Sequence, residues 1–316
     1  MQNKTVLFNK FGTAAELYVK EISLPQITDN EMLIKTSAAA LNPIDAKIRN
    51  GSSFVCKNRK EPFPWTLGFD FAGTVKECGC NLDFHNGDKI AGIVGHSFNP
   101  RAYAQYIVSD DKLIVKVPDN VSLKEAAALP TAGVTALDIL NTLKEKKDKG
   151  NVLVLGGSGG VGHLLIQLLQ IHGYNVTAGA SIKNFAFLKE LGTNEIFDYH
   201  DDYKTKYKDQ FDAAIDFIGD DIGIGLYEVL KENGLLVTVP SYSFNKVISA
   251  CPSCKQVKSV LAAPSKEKIA YLLKLCSSGK LKVHITKEFK LNTEGAQQAH
   301  LQIESTHTRG KIILVP

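Results

Sequence analysis

The apolar positions of this chain change their spacing near Val121. Ahead of that point, short runs such as "MLIKTSAAAL", "FAGTVKEC" and "DKIAGIV" are rich in β-formers and separated by clusters of Gly, Asn, Asp and Pro. Such punctuation predicts a barrel-like antiparallel domain. Beyond Val121, helical and strand patterns alternate. "SLKEAAALPTAGVTALDILNTL" reads as helical material broken at Pro130, and Val152–Leu155 as a buried strand. The pattern predicts a helix from about Val161 to His172, a strand over Val176–Ala178, a helix over Phe185–Leu191 stopped by Gly192, and a strand over Glu195–Phe197. Two more short buried strands, "DAAIDFI" from Asp212 and "GLLVTVP" from Gly234, flank a helix near Ile222–Lys231, and "QVKSVLAA" from Gln256 is the last strand of the series. Alternation on this scale means βαβ units and a parallel sheet. From Ser265 a helix ("SKEKIAYLLKLCSSG"), then "KVHITKEFKL", another helix and the strand "KIILV" resume the first style, so the tail is expected to rejoin the first domain. The fold class is α/β, with domains expected at 1–121, 122–261 and, returning to the first, 262–316.

One stretch carries more glycine than any strand–helix junction needs for folding. In "NVLVLGGSGGVGHLLIQLLQ", Gly157, Gly159 and Gly162 spell GxGxxG between a strand and a helix. The first glycine of that motif permits a tight turn, the second lets backbone approach a pyrophosphate, and the third allows close helix–strand packing. The helix N-terminus then offers unpaired N–H groups and a positive dipole end to phosphates. Gly157, Ser158, Gly159, Gly160, Val161 and Gly162 are therefore candidate cofactor-binding residues of a Rossmann-type domain. Leu164, Leu165, Leu168 and Leu169, with Val161, give the helix a broad apolar face for burial. An NAD-preferring fold places an acid at the end of the second strand to hold the ribose 2′-hydroxyl. Here that position falls in "AGASIKN", which has no acid but offers Ser181 and Lys183 to a 2′-phosphate. Lys183 also reads as a solvated residue opening the next helix. NADPH is favoured over NADH.

Composition narrows the setting. At 316 residues the chain is long enough for two domains, and 44% hydrophobic residues mark a globular protein. A net charge of +4, evenly spread, argues for neither nucleic acid nor membrane as partner. The opening "MQNKTVLFNKFG" lacks a signal-peptide core, and no apolar run approaches the ~18–20 residues of a membrane span. Six cysteines without disulfide-framework spacing read as free thiols of a reducing compartment, so a cytoplasmic location is expected.

"LNPIDAKIRNG", "LGFDFAGTV", "ALPTAGVTALDIL", "GGSGGVG" and "RGKIILV" occur in that order along nearly the whole chain. Together they resemble the medium-chain dehydrogenase/reductase superfamily and, within it, the zinc-independent quinone oxidoreductases of the zeta-crystallin-like branch, with the alkenal/one reductases. The resemblance implies a GroES-like catalytic domain built from both chain ends, a Rossmann domain between, and a cleft for NADPH. It implies hydride transfer to quinones or to the C=C bond of enones and enals, by a homodimer joined through the edge strand beginning at Gln256. It also implies that zinc is absent. The first Cys ligand of the alcohol dehydrogenases corresponds to Asn42, the His to Phe69, and the second Cys falls among Ala126–Ala128. "CPSC" (Cys251–Cys254) has zinc-like spacing, and with Cys78-x-Cys80 as its one conceivable partner pair it could form a two-pair site, but these cysteines read as buried thiols.

Without a Lewis acid, the substrate oxygen must meet hydrogen-bond donors where charge develops. Asn42, Lys47 and Thr131 are the candidates, the last at the position where relatives contact nicotinamide. Lys47 could equally point into solvent, and Asp45 reads as a cap or tie for its loop. The resemblance places Trp65 and Phe69 beside the substrate; Trp65 could equally be a core aromatic. It places Tyr199 near the 2′-phosphate, with His200 as a surface neighbour, and Phe217, Ile218, Val239 and Pro240, at strand ends, along the ribose and nicotinamide. A second reading stays open: an NADPH-binding protein without turnover, acting as a redox sensor, a structural protein or an RNA-binding moonlighter.

Overall fold

The computed structural model describes residues 2–24, 26–94, 99–144, 150–240, 242–251 and 256–316. The chain divides into two compact units, 1–132 with 264–316, and 133–263.

The first unit is built on a seven-stranded sheet. Its path runs Ile285–Lys290, Lys311–Val315, Met32–Ala40, Asp70–Cys78, Lys89–Ile93 and Ile114–Lys116, with Tyr106–Ser109 also paired to Met32–Ala40. Every pairing is antiparallel except that of Ile285–Lys290 with Lys311–Val315. The strand near the chain's end lies against Met32–Ala40, Ile313 opposite Ala40, so the tail is part of this unit. Phe8, Met32, Ile34, Phe71, Ile107 and Ile312 are among the fully or nearly fully buried residues of one core, the usual result when alternating apolar positions of curled strands point inward. The helix Leu123–Ala128 belongs to this unit, so its border lies at Ala132 rather than at 121. The reason is local: Ser122 and Glu125 form a reciprocal capping box, and Ala126, Ala127 and Ala128 are buried.

The second unit is a six-stranded, all-parallel sheet ordered Glu195–Phe197, Asn175–Gly179, Asn151–Leu155, Phe211–Asp216, Leu230–Thr238, Gln256–Ser259. Numbered within the unit, this is the 3-2-1-4-5-6 order of dinucleotide-binding sheets. The helix Gly162–Ile171 buries Leu164, Leu165, Leu168 and Leu169 completely. Among the described residues Gln256–Ser259 pairs with one neighbour only and forms an edge.

One predicted helix is different. Residues 222–231 do not form a continuous helix: Asp220–Ile224 is a short α-helix, Gly225–Val229 is 3-10, and Leu230 already begins the next strand opposite Phe211. Gly223 and Gly225 weaken helix propensity. Gly223 is held where a side chain would not fit, since an added Cβ would stand 2.3 Å from the buried Asp216 Oδ2; at Gly225 a Cβ would press only on the end of the Lys204 side chain, 2.2 Å from its Cε. Among the described residues no helix is long and apolar enough to cross a membrane.

Candidate active site

In the parallel unit, the glycine loop follows the strand Asn151–Leu155. Gly156 takes φ +81°, a left-handed turn, and the N–H groups of Gly156 and Gly157 both donate to the Gly179 carbonyl, at 2.9 and 3.2 Å. The loop's glycines differ in what holds them. A Cβ on Gly162 would lie 2.5 Å from the Gly156 carbonyl oxygen, and one on Gly157 would lie 2.8 Å from Ile166 Cδ1, so the protein itself forbids side chains there. Among the described residues a Cβ on Gly159 would meet only the Gly156 oxygen, at 3.4 Å. The fold leaves open the position at which GxGxxG motifs admit a phosphate. Among the described residues no side chain caps the helix that follows.

Phe217 and Ile218 stand against this loop: a Cβ on Gly156 would lie 3.1 Å from Phe217 Cβ and 3.4 Å from Ile218 Cγ1. The buried carboxylate of Asp216 fixes them, accepting the N–H groups of Ile218 (2.9 Å) and Gly219 (2.8 Å) through Oδ1 and the Thr238 hydroxyl (2.9 Å) through Oδ2. Burial pushes this carboxyl above the usual range, and the three donors oppose that. The Val239 N–H donates to the Asp216 carbonyl at 3.0 Å, which brings Val239 and Pro240, both half-buried, to the same sheet edge. The structure therefore gathers Gly156–Gly162, Phe217, Ile218, Val239 and Pro240. Ser181, half-buried, and Lys183, exposed, follow the second strand; Tyr199, half-buried, follows the third.

In the β-rich unit, the helix Pro43–Arg49 starts at Asn42. Asp45, one turn on, accepts the Asn42 N–H at 2.8 Å through Oδ2 and the Gly68 N–H at 3.1 Å through Oδ1, and so ties the loop as its position suggested. The Asn42 side chain faces elsewhere. Its Nδ2 donates to Asp70 Oδ2 at 2.9 Å, and its Oδ1 accepts from Lys311 Nζ at 2.6 Å. Lys311 also donates to the Leu41 carbonyl at 2.8 Å. Thr131 donates to Asp70 Oδ1 through both its N–H (3.1 Å) and its hydroxyl (2.5 Å). Asn42, Asp45, Asp70 and Lys311 are all at most 4% exposed.

Two buried carboxyls thus share one buried ammonium. Burial pushes Asp70 up and Lys311 down, and their mutual attraction opposes both shifts. Asp45 is pushed up to about 7, chiefly by burial and further by the Asp70 charge, against the N–H bond from Asn42. Asp70 and Lys311 were not among the residues expected from sequence. Their signal was available, a charge inside the apolar runs "FDFAG" and "GKIILV".

The remaining candidates separate. Lys47 is half-buried on the same helix as Asp45. Phe69 is half-buried against the main core. Trp65 is 5% exposed, with Arg59 4.4 Å from its ring centroid, Phe63 at 4.5 Å and Phe8 and Phe11 edge-on; its Nε1 donates to the Glu61 carbonyl at 2.7 Å. Its ring is taken up by these neighbours and is a core aromatic. The zinc-spaced cysteines are not buried thiols: Cys80 is exposed, Cys78 and Cys251 are half-buried, and Cys254 lies outside the described residues, as does Ser241 of "TVPS". Among the described residues no three His, Cys, Asp or Glu side chains are grouped so as to hold a metal ion.

Residues 28–119 match the alcohol dehydrogenase GroES-like domain family, and residues 191–314 match the zinc-binding dehydrogenase family. The chain is 33% identical over 328 residues to the chloroplast envelope quinone oxidoreductase homolog of Arabidopsis thaliana, across 98% of this chain and 97% of that one. It is 29% identical to the NADPH-dependent alkenal/one oxidoreductase of Arabidopsis chloroplasts, across 99% and 79%. The solved quinone oxidoreductase of Coxiella burnetii is 39% identical and superposes with a TM-score of 0.93, with both chains covered completely.

The buried charge cluster gives a pH prediction. The Asp45 carboxyl titrates near 7 in the folded protein against an ordinary 3.8, so the native state holds that proton more tightly than the unfolded chain. Its stabilisation is complete below about pH 3.8 and lost as pH rises through about 7. Melting temperatures measured from pH 4 to 8 should therefore fall more steeply with rising pH for the native protein than for Asp45→Asn. Parallel curves would show that Asp45 does not titrate in this window.

Proposed function

The chain belongs to the quinone oxidoreductase family of medium-chain dehydrogenases/reductases, and on that premise we propose that it is an NADPH-dependent, zinc-free enzyme reducing quinones or the C=C bond of α,β-unsaturated carbonyls. The observation that carries the reading is the glycine loop, where Gly159 leaves room that the protein does not fill, at the carboxyl edge of a 3-2-1-4-5-6 sheet. The residues present fit the cofactor. The loop's backbone and the start of helix Gly162–Ile171 would take the pyrophosphate. Ser181, Lys183 and Tyr199 would take the 2′-phosphate, and Phe217, Ile218, Val239 and Pro240 the ribose and nicotinamide wall.

Bound NADPH supplies a hydride, and a proton completes the reduction. The chain's part is to orient the acceptor and stabilise the charge that collects on its oxygen. Asn42 suits this: its Nδ2 carries two hydrogens, of which one is given to Asp70, while the bond from Lys311 to Oδ1 polarises the amide and strengthens it as a donor. Thr131 spends its hydroxyl hydrogen on Asp70, so its part is to hold that carboxylate and, through it, Asn42. Lys47 is a second donor on the same helix, and Phe69 an apolar wall. Zinc independence rests on the same chemistry, since the amide of Asn42 and the ring of Phe69 replace thiolate and imidazole. We further propose a cytoplasmic homodimer paired through Gln256–Ser259, whose neighbour Leu261 is 78% exposed.

The function is tested by following NADPH absorbance with a panel of quinones and enals in the presence of a strong chelator, alongside calorimetric titration with NADPH and NADH. Turnover that survives chelation, and tighter binding of NADPH, are expected. Equal affinities, or stoichiometric zinc lost together with activity, would overturn the reading. Replacing Asn42 with Ala should lower kcat and kcat/KM together by ~10²–10³, as loss of one oxyanion donor does, with NADPH affinity little changed. A lowered melting temperature with kcat per folded molecule intact would instead assign Asn42 to bracing alone. Light scattering at micromolar concentration should give twice the chain mass, and a charged substitution at Val257 should halve it.

A further inference from the structure

The strands Asn175–Gly179 and Glu195–Phe197 run parallel, with Glu195 opposite Thr177 and Phe197 opposite Gly179. Past the strand ends, Asp198, Tyr199 and His200 follow the third strand as Ala180, Ser181 and Ile182 follow the second. Two contacts link these segments: the Ala180 N–H donates to the Phe197 carbonyl at 3.1 Å, and the Ile182 N–H faces the Asp198 carboxylate. Asp198 is 9% exposed. Its Oδ1 accepts the backbone N–H of His200 at 3.0 Å and the His200 ring through Nδ1 at 2.6 Å. The His200 side chain is 65% exposed and stacks on Tyr199, ring centroids 4.3 Å apart.

A carboxylate is thus built into the edge where a 2′-phosphate is proposed to bind. Those donors hold it ionised, the His200 backbone N–H foremost. Asp201 and Asp202 line the adjoining recess of about 200 Å³, and the ammonium of Lys206 there is bound by Glu195 at 2.8 Å. The acid that selects a ribose hydroxyl ordinarily ends the second strand; Asp198 follows the third, beside it, and a carboxylate there repels a phosphate carrying about −1.5 to −2 charges. His200 changes the balance. With Nδ1–H given to Asp198, the ring meets a ligand through Nε2, which donates only as imidazolium.

Resting on the cofactor reading above, we propose that Asp198 and His200 form the discriminator between the two cofactors: His200 binds the 2′-phosphate of NADPH and screens Asp198, which alone would select the 2′-hydroxyl of NADH. Calorimetric titration of the full chain with NADPH, NADH and 2′,5′-ADP tests this, with thermal unfolding run on each variant. His200→Gln should weaken NADPH and 2′,5′-ADP by about tenfold, the scale of one charge-assisted hydrogen bond, and leave NADH unchanged. His200→Arg should keep NADPH preferred, and Asp198→Asn added to His200→Gln should recover much of the loss. A native protein that binds NADPH while His200→Gln affects neither cofactor, or both alike, overturns the discriminator and leaves the cofactor reading standing. A native protein that binds neither NADPH nor 2′,5′-ADP overturns the cofactor reading itself. Should His200→Gln fail to fold, loss of NADPH preference in His200→Arg overturns the proposal in the same way.

Discussion

A carboxylate withdrawn from water must be given donors and opposite charge, and the β-rich unit is arranged around doing so for Asp70. Its partners come from three distant places in the chain: Asn42 at the start of a helix, Thr131 at the start of another, and Lys311 in the strand near the end of the chain. Satisfying one buried acid therefore brings together Asn42 and Thr131, the two candidate donors of the sequence pattern, with Lys311, which that pattern did not single out. The parallel unit repeats the device. Asp216 closes its strand and, by holding the N–H groups of Ile218 and Gly219 and the hydroxyl of Thr238, shapes the edge on which a cofactor would lie.

The helix that presents Asn42 is held at its other end too. Arg49 is 1% exposed, donates to the Gly12 carbonyl at 3.1 Å and engages both carboxylate oxygens of Glu304. Its Nη1 also lies 3.2 Å from His300 Nδ1; burial and the guanidinium charge lower that imidazole to about 3, so it is the neutral acceptor of the pair. A buried guanidinium is costly to leave unpaired. The helix Pro43–Arg49 consequently cannot rotate about its axis without breaking one end or the other, which is how a short element can hold an amide in one orientation.

Much of this was legible in the chain. The parallel unit could be read almost residue by residue, because its strands are buried on both faces and its helices on one, and both leave period signatures. The strand Glu195–Phe197 falls where the apolar pattern put it. The failure at 222–231 has the opposite cause: Leu226, Val229 and Leu230 look helical in spacing, but Gly223 and Gly225 lower the helix propensity of the stretch and Leu230 is already taken into the next strand. The buried charges were harder. "FDFAG" and "GKIILV" announce charges in apolar company, yet nothing local says that Lys311 answers Asn42 across 269 residues. Trp65 shows the same limit, since a lone tryptophan reads alike as a wall and as a core, and only Phe8, Phe11, Phe63 and Arg59 around it decide.

The bond from the Ala263 N–H to Asp138 Oδ2, at 2.8 Å, ties the two ends of the parallel unit to each other. That unit interrupts the β-rich one in sequence, and for an unfolded chain it would be a flexible tether of well over a hundred residues between Thr131 and Lys311. Closing so long a loop costs ~3 kcal/mol more than closing one of a few residues. Once the parallel unit is folded its entry and exit are already neighbours, and the tether shortens to the stretch from Pro264 to Lys311. By closing on itself, the inserted unit takes its own length out of the loop that the buried charges of the outer unit must close.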